Sequence, residues 1–317
     1  STFSSSASSV KVGETTDITM TLSESSTNFI ASDVTVSNGS LSNFSGSGTS
    51  YTATFTPSTD FEGTATLDIA AGAFTDSAGN DNTAATQISI TVDTSAPDAP
   101  TITTPIEGDG VVNASEDNDV LIAGTGAESG ATVSVSVGGV TASTTANSDG
   151  SWSISGSEVD ISALNNGTLT VTASQTDSAG NTSSNASTTI TLDNVVPTGH
   201  SVAFADSVYS NSEKTVASFS FSGAEVGASY SYTISSDGGG TDVTGSGTLS
   251  TASDTISNID LSALNDGTLT LSVVVTDTAG NAATAVTNTS TLDATSPSLS
   301  TFSSSASSVK VGETTDI

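Results

Sequence analysis

The segments "LTVTASQT" (residues 169–176) and "LTLSVVVT" (residues 269–276) alternate apolar and polar side chains in the same phase. Leu169, Val171 and Ala173 share one face of the first segment, while threonine and serine occupy the other. Alternation of this kind is typical of a β-strand with one buried face. Between such runs, glycine, asparagine and aspartate cluster as they do in turns, and no useful helical period is present. The sequence therefore predicts an all-β fold and argues against disorder, which low hydrophobicity and high charge would otherwise favour.

The charge balance limits the possible partners. The chain has 317 residues and a formal net charge of -31 at pH 7, with 34 acidic residues against three lysines and no arginine. Such sparse positive charge cannot neutralise several phosphates or hold an anionic membrane surface. We therefore expect no nucleic-acid partner and no direct membrane contact.

The residue types also limit the chemistry. The chain contains no cysteine and a single histidine, His200, which excludes disulfides, thiolate metal sites and a histidine zinc cluster. Serines are abundant, but no pattern pairs one with His200, so we predict that the protein is not an enzyme. A disulfide-free, strongly acidic chain suits the exterior of a bacterium.

Three copies of one turn motif indicate three domains. "TDSAGN" at residues 75–80 returns at 176–181 and, as "TDTAGN", at 276–281. Each repeat closes with an aspartate four residues before a proline, and proline fixes the backbone of a short, stiff junction. The predicted domains are residues 1–95, 96–195 and 196–295.

A second, longer repeat lies at the end of the chain. Residues 300–317 repeat residues 1–18 without a change, which indicates that the three-domain block is itself tandemly duplicated. We interpret residues 296–317 as the first strands of a fourth domain. Because this segment cannot bury a core by itself, we expect it to be poorly ordered unless it packs on a neighbour.

The spacing of strands and turns within a domain fits a seven-stranded, immunoglobulin-like sandwich. In the second domain we expect Trp152 and Ile154 to lie in the core, and Leu164, with its counterpart Leu264, to close one end of it. The predicted strands A to G are residues 99–106, 119–125, 131–137, 140–146, 151–155, 168–176 and 182–192.

Several motifs carry a family resemblance. "GTGAESGATVSVSV", "NSDGSWSIS", "ISALNNGTLTVTASQTDSAGN" and "LDNVVPT" resemble the bacterial immunoglobulin-like repeats of giant surface adhesins exported by type I secretion. The third domain shares part of this pattern but has "STASDTIS" in place of "NSDGSWSIS", and the first resembles a different subtype. The resemblance implies an elongated rod of sandwich domains at the bacterial cell surface, stiffened by interdomain calcium.

The topology places acidic residues at both ends of each domain, because alternate loops of an immunoglobulin-like sandwich lie at opposite ends. Domains joined end to end then bring the outgoing acids of one domain to the incoming acids of the next. The first junction is predicted to gather Glu14, Asp93, Glu128 and Asp177, and the second Glu116, Asp193, Glu225 and Asp277. Asp76 and Asp293 hold the corresponding positions at the two ends of the block.

Clustered carboxylates repel one another by roughly 1 kcal/mol per close pair even in water. Calcium would relieve this repulsion, since it accepts six to eight oxygen ligands, whereas magnesium prefers a small octahedral shell that keeps its waters. We therefore predict Ca²⁺ at the junctions. The alternative is that Asp-x-Ala-Gly-Asn is only a turn, in which the aspartate binds its own loop amides, and that the glutamates are solvated.

The favoured functional hypothesis is a non-catalytic extender that spaces a terminal binding module away from a cell surface, in adhesion or biofilm formation. Its partners would be the neighbouring repeats of the same chain, and the adhesion target would lie outside this segment. One alternative is a module that binds a glycan or a host protein, for which Phe219, Phe221, Tyr230 and Tyr232 are the nearest candidate residues. Another is a structural protein of a surface layer or fibre.

Overall fold

The structure is a computed structural model that describes residues 1–305, 307–308, 310–312 and 314. The chain divides into two compact units, the first comprising Ser1–Val112 with Glu116–Leu192 and the second Asn113–Ser115 with the chain from Asp193 onward. Three separate apolar cores lie along it, formed by residues from 10 to 92, from 106 to 192 and from 202 to 292. The prediction of tandem immunoglobulin-like sandwiches is confirmed, while the domain boundaries stay predictions.

The first domain packs a three-stranded sheet against a four-stranded one, with orders β1-β3-β5 and β2-β7-β6-β4. The strands are β1 (Thr2–Ser5), β2 (Ser9–Lys11), β3 (Thr16–Ser26), β4 (Val34–Ser37), β5 (Gly39–Pro57), β6 (Glu62–Ile69) and β7 (Ile88–Asp93), with a 3-10 turn at Ala31–Asp33. Strand β1 pairs with β3, while β2 pairs in parallel with β7 in the other sheet. The chain therefore crosses between the sheets at their common edge.

The second domain repeats this plan, with sheet orders β13-β10-β8 and β12-β11-β14-β15-β9. Its strands are β8 (Thr101–Ile102), β9 (Val111–Val112), β10 (Ala123–Thr125), β11 (Thr132–Val137), β12 (Val140–Thr145), β13 (Trp152–Ser153), β14 (Gly167–Thr176) and β15 (Ala186–Leu192), with a 3-10 turn at Ile106–Gly108.

The third domain also has two sheets, with orders β16-β18-β21 and β17-β23-β22-β19-β20. Its strands are β16 (Ser201–Phe204), β17 (Tyr209–Ser210), β18 (Ala217–Ser222), β19 (Ser229–Ser236), β20 (Val243–Thr248), β21 (Thr255–Ile259), β22 (Gly267–Thr276) and β23 (Val286–Asp293).

Strand A of the second domain was predicted as one continuous strand, and this was wrong. The chain makes only the short β8, turns at Pro105 and Ile106–Gly108, and then forms β9, which pairs in parallel with β15. Pro105 has no N–H to donate to a strand partner, which favours the break at this point. The other predicted strands are present with shifted ends; strand G, for example, begins at Ala186.

The second core is built around Trp152. Trp152 and Ile154 are 2% and 1% exposed, as predicted, and Leu164 packs against the same core. Gly124 lies directly under the indole, where an added Cβ would come within 2.5 Å of the ring and 1.8 Å of the Thr101 carbonyl oxygen. Only glycine leaves room for the ring and the neighbouring strand at this position.

The aromatic residues that could have formed a binding surface belong to the third core. Phe219, Phe221 and Tyr230 are buried, and Tyr232 packs against them half-buried. Their rings contact one another edge-on or tilted, with centroids 5.2 Å apart for Phe219 and Tyr232 and 5.3 Å apart for Phe221 and Tyr230. These rings therefore stabilise the sandwich through burial and aromatic contact.

The predicted fourth domain lies only partly within the described residues. Those from Ser296 to Thr314 that are described form no strand, and residues 306, 309, 313 and 315–317 lie outside the described part of the chain. Phe302 is 76% exposed, whereas Phe3, its copy in the first domain, packs half-buried against the first core. The assignment of residues 296–317 to a fourth domain stays a prediction.

Candidate functional site

Each Asp-x-Ala-Gly-Asn segment folds into the same closed turn. In the second domain the Asp177 N–H donates to the Asn181 carbonyl oxygen at 3.0 Å, and Gly180 adopts a φ of +91°. Asn181 in turn donates its backbone N–H to Asp177 Oδ1 at 2.9 Å and its side-chain Nδ2 to Asp177 Oδ2 at 2.8 Å. The turns closed by Asn80 and Asn281 are built in the same way. The turn thus fixes the asparagine side chain as well as the aspartate.

The asparagine of the second domain also contacts the end of the first. Asn181 Nδ2 lies 3.0 Å from Asp93 Oδ1 and 3.4 Å from the Asp93 carbonyl oxygen. The residue is 3% exposed, and its Oδ1 is buried without a hydrogen-bond partner in the described part of the chain. We call Asp93, Glu128, Asp177 and Asn181 the first junction.

Glu128 is exposed at this junction but lies near several like charges. Partial burial raises the pKa of its carboxyl, and the negative charges of Asp177, Asp93, Glu62 and Asp98 raise it further. Three of the four predicted residues are therefore near enough to influence one another. Glu62 and Asp98 were not predicted. Glu62 lies directly opposite Asp93 in the pairing of β6 and β7, a register that depends on tertiary pairing.

The second junction comprises Ala114, Asp193, Asp277 and Asn281. Asn281 Nδ2 donates to the Asp193 carbonyl oxygen at 2.7 Å and to Asp277 Oδ2 at 2.9 Å. Here the asparagine oxygen is satisfied, because Oδ1 accepts from the Ala114 N–H at 2.8 Å. Asn281 is 3% exposed and Asp277 is 7% exposed. Both junctions therefore share an asparagine-to-aspartate contact but differ in the partner of the amide oxygen.

Glu14 and Asp76 make contacts within their own turns. Glu14 Oε2 accepts from the Lys11 N–H at 3.1 Å and closes its own turn, as Glu213 does with Ser210. No described contact ties Glu14 to the first junction. Asp76 lies in the turn of the first domain, where hydrogen bonds from Asn80 lower the pKa of its carboxyl.

The last three predicted site residues are Glu116, Glu225 and Asp293. The carbonyl oxygen of Glu116 accepts from the Asp119 N–H at 3.1 Å in the loop before β10. The Glu225 carbonyl oxygen lies 3.4 Å from the Ala228 N–H, and Asp293 ends β23 opposite Ser210. No contact among the described residues joins the side chains of Glu225 or Asp293 to the second junction.

The oxygens of the first junction fit a hard cation by their chemistry. Carboxylates and a buried, unpartnered amide oxygen are the ligand types that calcium accepts. Within the described residues, however, no three histidine, cysteine, aspartate or glutamate side chains are arranged closely enough to hold a metal. The calcium prediction remains untested.

Within the residues that the structure describes, no helix has the length and apolar character needed to cross a membrane.

The fold and the two junctions define tandem immunoglobulin-like sandwich domains. Two family profiles, both described as bacterial Ig-like domain, match residues 1–92 and residues 104–194 and together account for more than half of the chain. The chain therefore belongs to the family of bacterial Ig-like domain proteins. No curated protein sequence matches it.

Among the solved structures to which the chain is similar are parts of an adhesin and of a large adhesion protein. A structure of a 1.5-MDa bacterial ice-binding adhesin shares 22% identity, with a TM-score of 0.43, over 91% of this chain and 95% of its own. A tetra-tandem repeat from the extending region of a large adhesion protein shares 22% identity, with a TM-score of 0.30, over 90% and 73%. InvD from Yersinia pseudotuberculosis shares 16% identity, with a TM-score of 0.32, over 93% and 98%.

Proposed function

We propose that the chain is a non-catalytic extender segment of a bacterial cell-surface adhesin, which projects a terminal binding module away from the cell for adhesion or biofilm formation. Each further sandwich domain along the chain would increase the distance between the binding module and the cell. With strands of about ten residues at roughly 3.3 Å each, every domain would add on the order of 35 to 40 Å. In this role the segment lies outside the cell, with neighbouring repeats as its immediate partners.

The observation that carries the proposal is the recurrence of one contact. In both later domains, the asparagine of the Asp-x-Ala-Gly-Asn turn donates from Nδ2 to the aspartate that ends the preceding domain. An extender needs the same fixed connection at every junction, whereas a catalytic or ligand-binding site need occur only once. The burial of Phe219, Phe221 and Tyr230 in the third core also disfavours these rings as a ligand surface.

We further propose that calcium stiffens the junctions. At the first junction Asp93, Glu128 and Asp177, with Asn181 Oδ1, would hold the ion, which supplies positive charge where burial and like charges raise the pKa of Glu128. At the second junction Asp193, Asp277 and Glu225 would be the corresponding ligands. Because Asn281 already bonds Ala114 and Asp193 directly, we expect the first junction to depend more strongly on calcium.

Calorimetric titration of the chelator-stripped chain with calcium tests this part of the proposal. The triple variant Asp93→Asn, Glu128→Gln, Asp177→Asn should take up less calcium than the unchanged chain. A control variant, Asp119→Asn, Glu158→Gln, Asp160→Asn, removes the same charge from exposed positions of the same unit and should bind as the unchanged chain does. Absence of calcium uptake by the unchanged chain, or equal loss in both variants, would contradict the assignment.

A further inference from the structure

The first domain carries an open cleft beside its N-terminal strand. The cleft has a volume of about 720 Å³ and lies between β1, β3 and the segment that precedes β7. Phe3, Leu22 and Phe74 supply apolar lining, and Glu24 and Asp76 supply acidic groups at its edge. This is the end of the domain that carries the Asp-x-Ala-Gly-Asn turn.

In the second domain the chain itself covers the equivalent position. Gln175, which precedes its turn motif as Phe74 precedes that of the first domain, is 1% exposed. Its Nε2 donates to the carbonyl oxygen of Asp98 at 2.7 Å and lies 3.4 Å from that of Gly126. Pro97 and Pro100, on either side of this contact, are both buried. The segment that enters the second domain therefore packs against the end of β14.

In the third domain the incoming segment approaches the residue that follows β18. The carbonyl oxygen of Gly199 lies 3.0 Å from the place where a Cβ of Gly223 would stand. Gly223 precedes Glu225 by two residues, as Gly126 precedes Glu128 and Leu22 precedes Glu24. The incoming segment thus packs on its own domain in both cases, through Asp98 on Gln175 in the second domain and through Gly199 beside Gly223 in the third.

The matching segment for the first domain is present elsewhere in this chain. Because residues 300–317 repeat residues 1–18, the residues just before Ser300 hold the place that a further copy would present before Ser1. In that alignment Leu299 corresponds to Ala99 and Gly199. Leu299 is 75% exposed, and Pro297 is exposed where Pro97 and Pro197 are buried.

We propose that the cleft of the first domain binds the segment Ser296–Leu299 of a second copy of this block, with the Leu299 side chain seated against Leu22 and Phe74. The side chains complement one another across the repeats. In the third domain Gly223 meets the incoming Gly199. The second domain has Gly126 and the small Ala99 at the same two sequence positions. Where the first domain offers Leu22 and Phe74, the incoming residue is a leucine. The inference rests on the tandem duplication within the proposed function and does not require calcium.

Met20 is a reporter for this contact, because it borders the cleft and is the single methionine of the chain. Both proteins carry ¹³C at the methionine methyl, and a cleavable tag is removed from each. The first is the unchanged chain, and the second is extended before Ser1 by the sequence of residues 293–299. A matched extension carries serine in place of the leucine copied from Leu299. We expect the Met20 methyl resonance to shift in the leucine extension and to return toward its original position in the serine extension.

Spectra are recorded in calcium and in chelator. A leucine-dependent shift in both conditions, with no calcium uptake by calorimetry, would support the cleft while removing the calcium proposal. Identical Met20 resonances in all three proteins would overturn the assignment of the cleft, as would equal shifts from the leucine and serine extensions.

Discussion

At the scale of single residues, Asn281 makes more hydrogen bonds than its turn requires. Besides closing its turn onto Asp277, it donates to the Asp193 carbonyl oxygen and accepts from the Ala114 N–H. Asn80 makes the same turn bonds to Asp76, has no such further partner among the described residues, and is exposed. Comparing substitutions at Asn281 and Asn80 therefore separates the contribution of the junction contacts to stability from that of the turn.

We predict that Asn281→Ala lowers the stability of the second unit by about 2 kcal/mol more than Asn80→Ala lowers that of the first, because it leaves buried polar groups unpaired. Urea unfolding of the full chain, followed by hydrogen exchange at each turn, measures both changes. Equal losses in the two variants would show that the junction contacts add nothing to the turn.

Glu128 gives a prediction with a definite sign. Since its pKa in the folded chain is raised by burial and by Asp177 and Asp93, the charged carboxylate is less favourable folded than unfolded. In chelator, the stability of the first unit should fall as pH rises from the ordinary glutamate pKa through the raised one. Glu128→Gln should remove this fall and raise stability at pH 7.

The control for Glu128 is Glu158→Gln. The pKa of Glu158 is lowered by the hydrogen bond from the Gly156 N–H, so this substitution should lower stability at pH 7. Thermal unfolding at several pH values distinguishes the two. A Glu128→Gln variant that is less stable than the unchanged chain in chelator would contradict the electrostatic account of the first junction.

At the scale of elements, strand β20 depends on two glycines. Gly245 and Gly247 pair with Tyr232 and Tyr230 of β19, and an added Cβ would stand 2.5 Å from the Tyr232 ring and 2.7 Å from Tyr230 Oη. The tyrosine rings thus fill the space that side chains of β20 would otherwise occupy. Glycine lowers strand propensity, and here the rings that cover it compensate by burying apolar surface.

Gly247→Val should therefore destabilise the third domain by about 1 to 3 kcal/mol through overpacking. Ser246→Val, on the exposed face of the same strand, should be neutral or slightly stabilising, because valine favours strands. Denaturant unfolding monitored by tyrosine fluorescence compares them. If both valines have the same effect, the rings do not restrict this strand.

How much of the fold could be predicted is clearest from particular elements. The alternation in β14 and β22 defined both strands almost to their ends, since period-two burial is a local signal. The break between β8 and β9 was missed because it depends on a parallel pairing with β15, which local pattern does not show. For the site, the turn motif identified Asp177, whereas Glu62 enters through strand register and Asp98 through the packing of the incoming segment.

At the scale of the whole molecule, we propose that the junctions are the source of stiffness. Each domain has its own core, so the sandwiches themselves should stay folded when calcium is removed. What calcium should change is the freedom of one domain relative to the next, because neutralising clustered carboxylates removes their repulsion. Sedimentation in calcium and in chelator would also show whether the chains remain single or assemble into a polymer.

The most direct test of this central claim is small-angle X-ray scattering of the chain in calcium and in chelator, with circular dichroism to confirm that the sandwiches remain folded. We predict a pair-distance distribution typical of a stiff rod, on the order of 100 Å or more in length, in calcium. In chelator it should become that of a flexible string of intact domains. Superimposable scattering curves in the two conditions would contradict the role proposed for the junction carboxylates.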